Sequence, residues 1–345
     1  MLSLDALYKG VFSPPPSSGP PAQKGKNVWF LSCGQIFLAC SMQSTAFQEA
    51  GKALGWNVTV FDTKADVTEE ANGIRQAIAA HADAITALGQ DCAPVQAAWL
   101  EAKKAGIKIV GDYSVDCNDP KIAGGSGPQI YDAFTLATPY PTWTAFQTAW
   151  QAARAAYVIG KTGGKANVIQ LLNEEKVSES YDNDGFSAAL TAQCPGCKIV
   201  AKTVYTFAHV DELQQVVSSA LLQHPEANVL SVHLDAIFSL GVTQALQAAG
   251  RKDLIVMGSE GLPPNFDLIR QGVQTASMAL PYPWLSWATA DVINRLLSGA
   301  KGSEIPTEGL GFQAIDKDHN LPGSGVIFEG PVDYKAAYTK VWSGS

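Results

Sequence analysis

From Val28 onward, short apolar runs alternate with longer stretches whose apolar residues recur at helical spacing. That alternation predicts repeated strand–helix units and a parallel sheet. The strands expected first are Val28 to Ser32, Asn57 to Phe61, Ala84 to Leu88 and Ile107 to Gly111, with helices near 42–54, 68–80 and 94–105. Gly51, Gly55 and Gly106 fall where those helices must stop. After an irregular passage from Ala123 to Tyr140 the pattern restarts with a helix from about Thr142 to Gly160. Strands follow at Ala166 to Leu172, Lys198 to Val204, Asn228 to Val232 and Leu254 to Gly258, with helices near 181–192, 211–223 and 238–249. Thr275 to Ala279 reads as a strand, and Pro283 to Leu297 and Asp333 to Trp342 as helices. Two similar halves predict an α/β fold of two doubly wound parallel-sheet lobes joined by a hinge.

Length agrees, since 345 residues exceed what one hydrophobic core usually serves. The expected division is a linker or tether over 1–26, where proline, serine and glycine dominate. An N-terminal lobe over 27–140 plus about 282–305 follows, and a C-terminal lobe over 141–281 plus about 306–345. The formal charge of -8, with no basic run, argues against nucleic acid as a partner. No apolar stretch has the length of a membrane span. Residues 1 to 10 lack the basic start and apolar centre of a secretory signal, so the expectation is a cytosolic protein or one already trimmed to its mature form.

Six cysteines bear on that choice. Each could be a small buried hydrophobe. Alternatively Cys33 pairs with Cys40, Cys92 with Cys117, and Cys194 with Cys197. The first and last pairs are local, and neighbouring third and fourth strands would bring the loops of Cys92 and Cys117 together. Three disulfides imply an oxidising, extracytoplasmic compartment, periplasm or cell surface, the latter through a lipid anchor on the precursor.

The order VWFLSCGQIFLACSMQSTAFQEAGKALGWNVTVFDTKAD, ADAITALGQD, AKKAGIKIVGDYS resembles the first lobe of type I periplasmic binding proteins, the ribose and galactose binding group. GKANVIQLLNEE, DGFSAALTA, LLQHPEANVLSVHLDAIFSLGVTQALQAAGR, IVMGSEGLPPNFDLIRQG and TASMALPYPW continue it in order and spacing, over roughly 27–300. The resemblance implies a solute-binding subunit of an ABC importer, partnered by a permease, that closes two lobes around a small neutral polar ligand, a sugar or polyol. The same family supplies the sensing core of LacI-like repressors, but a proline-rich segment stands here where those carry a helix-turn-helix.

Open α/β sheets bind ligands beyond the carboxyl ends of their strands. That rule selects Gln35, Phe37, Gln90, Asp91, Asp112 and Tyr113 in the first lobe, Tyr181, Phe207, His233, Asp235 and Glu260 in the second, and Tyr140 and Tyr282 at the crossings. The resemblance implies a stacking role for Phe37 and Phe207, and polar contacts for Asp112, Asp235 and Glu260. Blander readings stand beside these: Phe37 and Phe207 as core, Asp112 and Asp235 as helix caps, His209 and His233 as structural histidines. The family's arginines are absent from the matching loops, Tyr113 and Ser180 standing in their places, and Leu280 replaces a frequent glutamine. The loops carry Asp91, Asp112, Glu174, Asp182, Asp184, Asp235 and Glu260 against Lys176 alone, which predicts a ligand that is neutral or cationic and neither a phosphate nor a simple carboxylate.

Enzyme signatures are missing. IGKTGG lacks the glycine spacing and preceding strand of a Walker A loop, and no G-x-G-x-x-G, G-x-S-x-G or H-E-x-x-H motif occurs. Cys194-Pro-Gly-Cys197 follows a helix, whereas a redox pair sits at a helix N-terminus. The expectation is a binding protein without catalysis, cofactor or metal. The alternatives are a sensor that signals to a membrane receptor, and a cytosolic enzyme on a doubly wound fold with free thiols.

Overall fold

The computed structural model describes residues 1–344. Helix α1 (Leu4–Lys9) precedes β1 (Asn27–Ser32), α2 (Leu38–Leu54), β2 (Asn57–Asp62), α3 (Val67–Ala79), β3 (Ala84–Leu88), α4 (Gln96–Lys104), β4 (Lys108–Asp112) and β5 (Ala133–Phe134). Then come α5 (Trp143–Lys161), β6 (Asn167–Asn173), α6 (Val177–Gln193), β7 (Lys198–Tyr205), α7 (Leu213–Gln223), β8 (Val229–Ser231), α8 (Val242–Ala249) and β9 (Ile255–Gly258). The chain ends with α9 (Pro263–Arg270), β10 (Ala276–Ala279), α10 (Tyr282–Leu297), β11 (Gln313–Asp316) and α11 (Tyr334–Trp342).

The first lobe comprises Phe12–Phe146, Tyr282–Leu310 and the segment from Pro331 onwards. Its sheet has the order β2-β1-β3-β4-β5, all parallel. The β-rich runs NVWFLS and AITAL are buried on both faces, as strands of a parallel sheet covered by helices must be. Trp29, Ile85, Trp99, Ile109 and Tyr131 pack one core on the side of α3 and α4. The second lobe comprises Met1–Val11, Gln147–Pro281 and Gly311–Gly330. Its sheet order is β11-β10-β9-β8-β6-β7, parallel except for the antiparallel edge strand β11. Ile169, Leu171, Val217, Leu230 and Val256 centre its core.

The tether expected over 1–26 is packed structure. Ser3 caps α1, which buries Leu7 in the second lobe, and the Tyr8 hydroxyl donates to Asp316 at 2.7 Å. Further on, Phe12 stacks on Trp284, Arg295 donates to the Ser18 carbonyl, and the Trp56 indole donates to that of Gln23. Proline removes backbone donors but not carbonyls, so an extended proline-rich segment can still be held through its acceptors. The expected C-terminal segment also divides differently, since Asp333 to Trp342 belongs to the first lobe. There the Trp342 indole donates to buried Asp291 at 2.7 Å and its ring stacks on Trp287.

All three cysteine pairs are disulfides: Cys33–Cys40, Cys92–Cys117 and Cys194–Cys197. β3 does pair with β4, as the second bridge requires. Asp116 accepts from the backbone of Cys117, Ile130 and Tyr131, so the bridge and this carboxylate together fix the irregular passage after β4. The Cys92–Cys117 bridge closes 25 residues, and its removal as a paired serine variant should cost about 3 kcal/mol of first-lobe stability. Denaturant unfolding checks this. A loss below about 1 kcal/mol would mean the passage is held by Asp116 without help from the bridge.

Candidate functional site

In the first lobe the carboxyl ends of β1, β3 and β4 present most of the predicted residues. Phe37 precedes α2 half-buried, outside the core cluster, between exposed Ile36 and Leu38. Gly34 makes this possible: it has φ 133°, and a Cβ there would lie 3.1 Å from the Phe37 ring. The side-chain amide of Gln35 donates to Ser32 and Ser44 at 2.6 Å each and so braces the loop. Gln90 is likewise occupied, donating to Thr63 and accepting from Tyr131 through its carbonyl. Buried Asp91 accepts from the Val115 backbone at 3.3 Å.

Asp112 ends β4 fully buried. Its Oδ2 accepts from Thr289 at 3.0 Å, while its Oδ1 has no hydrogen-bond partner among the described residues. It caps no helix. Burial pushes its carboxyl pKa up to about 7, only partly opposed by the Thr289 hydrogen bond. Tyr113 follows in the left-handed region, φ 49°, a conformation that costs a non-glycine residue energy and recurs at binding sites. Its ring meets Trp143 edge-on at 5.4 Å. Tyr140 packs on Phe146 at 5.5 Å, and burial raises its phenol pKa. Tyr282 opens α10, buried.

The second lobe divides its candidates into braces and exposed edges. Asp235 accepts four hydrogen bonds, from the backbone of Ser259 and Gly261, from Ser277 at 2.7 Å and from Gln274. Both carboxylate oxygens thus accept from the loop after β9 and from the side chains of Gln274 and of Ser277 on β10, so Asp235 acts as a brace in place of the helix cap expected of it. Gly258 is required beside it, since a Cβ there would lie 2.0 Å from Asp235 Oδ1. Glu260 is buried and accepts from the Ala236 backbone at 3.0 Å, tying the loops after β8 and β9 together. His233 is buried too. Its Nε2 lies 3.0 Å from Glu179 and 3.5 Å from the Tyr205 hydroxyl, and its Nδ1 meets no partner among the described residues. Phe207 is half-buried and packs against the core margin, its ring 5.9 Å from Tyr205. Tyr181 is half-buried on α6, whereas His209 is exposed.

Loop-based reasoning missed a polar stripe on α5. Gln147, Gln151 and Arg154 are fully buried, spaced so that they share one helix face. Gln147 donates to the Ser178 carbonyl and to Asp182 at 2.9 Å. The guanidinium of Arg154 donates to the carbonyls of Val232, Met257 and Gly258, to Ser231 and to Gln151, and stands 5.4 Å from the Phe186 ring centre. A buried arginine is therefore present, supplied by a helix and aimed at the ends of β8 and β9. Gln147, Gln151 and Arg154, at helical spacing in the largely apolar run AFQTAWQAARAAY, were the available signal. Gln43 on α2 was missed for the same reason; it is buried with Oε1 unpartnered.

Cys92, Asp116 and Cys117 form the grouping closest to a metal site among the described residues, but the two sulfurs are bonded to each other and offer no thiolate. A groove of about 500 Å³ lined by His81, Asp83, Lys108 and Leu296 lies at the amino ends of β3 and β4, the opposite end from the candidate loops. Among the described residues no helix is long and apolar enough to cross a membrane.

A family model described as periplasmic binding protein domain matches residues 40–301. The ribose import binding protein of Salmonella typhimurium is 27% identical over 146 residues, 42% of this chain and 48% of that protein, so the chain spans about half the length of that relative. The D-apiose import binding protein of Paraburkholderia graminis is 25% identical over 67% of this chain and 68% of its own. Among solved structures, a glucose-galactose binding protein from Geobacillus stearothermophilus superposes with TM-score 0.72 at 17% identity, covering 87% of this chain and 100% of that one. The Caulobacter myo-inositol binding protein bound to myo-inositol gives 0.71 at 16% identity over 86% and 95%. Those identities speak for the shared fold, and the family match covers most of the sequence. The chain belongs to the periplasmic binding protein domain family.

Proposed function

We propose that this protein is the extracytoplasmic solute-binding subunit of an ABC importer, and that it holds a sugar or polyol without negative charge at its strand-end loops. The observation that carries the reading is a set of buried hydrogen-bonding atoms without a partner among the described residues: in the first lobe Asp112 Oδ1 at the end of β4 and Gln43 Oε1 on α2, in the second His233 Nδ1 after β8 and Gln147 Oε1 on α5. Buried polar atoms are normally satisfied, so such a set in this family calls for a polar ligand. The half-buried rings of Phe37, Tyr140, Tyr181 and Phe207 offer faces for apolar C–H surfaces. Relatives named for ribose and D-apiose import support the substrate class, and three disulfides support an oxidising compartment.

Binding without chemistry has a direct check. Sugars that bind by calorimetry should be recovered unchanged, by mass spectrometry, after prolonged incubation with the pure protein. Glu260→Ala should weaken that binding by about 1 to 3 kcal/mol. Recovery of a chemically altered sugar would contradict the reading.

A further inference from the structure

In the second lobe, carboxylates and aromatic rings form one continuous wall. Glu175 accepts from the Phe207 backbone at 2.8 Å, the Phe207 ring stands at 81° to Tyr205, the Tyr205 ring centre lies 5.8 Å from that of His233, and His233 meets Glu179. Asp182 lies nearly one turn further along α6, fully buried. Burial, and then the field of Glu179, Glu260, Glu175 and Asp182, holds the Tyr205 phenol well above its ordinary pKa. Even with Arg154 and Lys176 counted against these four acids, the wall is net negative.

The second observation is independent of charge. Both amide hydrogens of Gln147 are used on Ser178 and Asp182, so its Oε1 points elsewhere, buried and without a donor among the described residues. Asn183, 8% exposed, donates to the Asn173 carbonyl, and its Oδ1 also lacks a donor. Both are acceptors. An ammonium group brings three donors and, having no lone pair, needs no donor in return, whereas a hydroxyl brings one donor and two lone pairs of its own to satisfy. Aromatic faces beside carboxylates suit the same group.

We infer that the preferred ligand is a sugar or polyol bearing a protonated amine, with the ammonium held in the second lobe by Glu179, Asp182 and Gln147 beside the rings of Tyr205 and Phe207. The inference rests on the function proposed above and narrows its ligand class.

Calorimetry on the intact protein at neutral pH tests it with matched pairs: glucose and glucosamine, galactose and galactosamine, sorbitol and 1-amino-1-deoxysorbitol. In at least one pair the amine should bind about tenfold tighter or better than its parent, and N-acetylation, which removes the charge, should abolish the gain. Glu179→Gln should shrink the amine-to-parent ratio several-fold. Glu175→Gln, at an exposed position where folding is not at stake, should shrink it in the same direction. Parent sugars that bind as tightly as their amines, or an N-acetyl form that keeps the gain, would overturn the inference and leave sugar binding standing. No binding by either arm at millimolar concentration would overturn both.

Discussion

Replacing Arg154 by methionine is expected to lower the stability of the second lobe by about 4 kcal/mol and to abolish ligand binding. Methionine fills similar volume, so the loss comes from the polar atoms left behind. The carbonyls of Val232, Met257 and Gly258, the Ser231 hydroxyl and the Gln151 side chain all lose their donor in a buried setting. Each hydrogen bond to a charged group is worth about 1.5 to 3 kcal/mol, and partial relaxation keeps the total below the sum. Binding fails because these carbonyls end β8 and β9, which launch His233 and Glu260. Lysine should rescue poorly, since one ammonium cannot reproduce the planar fork. Urea unfolding of wild type and variant gives the answer. A shift equivalent to less than about 1 kcal/mol would mean the guanidinium is not the clamp on these strands.

Asp112 should make the first lobe less stable as pH rises towards neutrality. The unfolded carboxyl titrates at 3.8, whereas the folded one holds its proton up to about 7. Between those values the folded state binds more protons than the unfolded state, so stability falls with increasing pH. The contribution is fully present below pH 3.8 and is lost as pH rises through 7. The difference corresponds to about 4 kcal/mol. Asp112→Asn keeps the shape and removes the titration, so the wild-type minus variant difference isolates the effect from other groups. Denaturant unfolding across this range should show that difference shrinking or reversing in sign, and a flat difference would mean that Asp112 stays ionised when folded. A ligand that donates to Oδ1 stabilises the carboxylate, so its binding near pH 7 should release protons, readable as a dependence of calorimetric heat on buffer ionisation.

The fold was legible because parallel strands buried on both faces leave apolar runs such as VWFL and AITAL, and because each intervening helix carries its own period. What escaped had no such pattern. Strand β11, QAID, is buried yet half polar, β5 has two residues, and α9 is short and begins with two prolines, which only the first helical positions accept. The N-terminal segment was misread because its order comes from tertiary partners, Asp316, Trp284 and Arg295, far away in sequence. Within the candidate site, the strand-end rule found positions but not directions. Gln35 and Asp235 stand where the rule puts them and brace their loops, a matter of side-chain partners that spacing does not encode. The helix-borne Gln147 and Arg154 lay outside the loops the rule selects.

This protein should bind an uncharged or amine-bearing polyhydroxylated molecule reversibly. Thermal unfolding should be followed against sugars, polyols, amino sugars, sugar phosphates and aromatic acids, because a ligand that binds only the folded state raises Tm by mass action. At least one sugar, polyol or amino sugar should raise Tm in a saturable manner, and its phosphate ester should not. A sugar phosphate or aromatic acid that stabilises the protein more than every polyhydroxylated compound would contradict this.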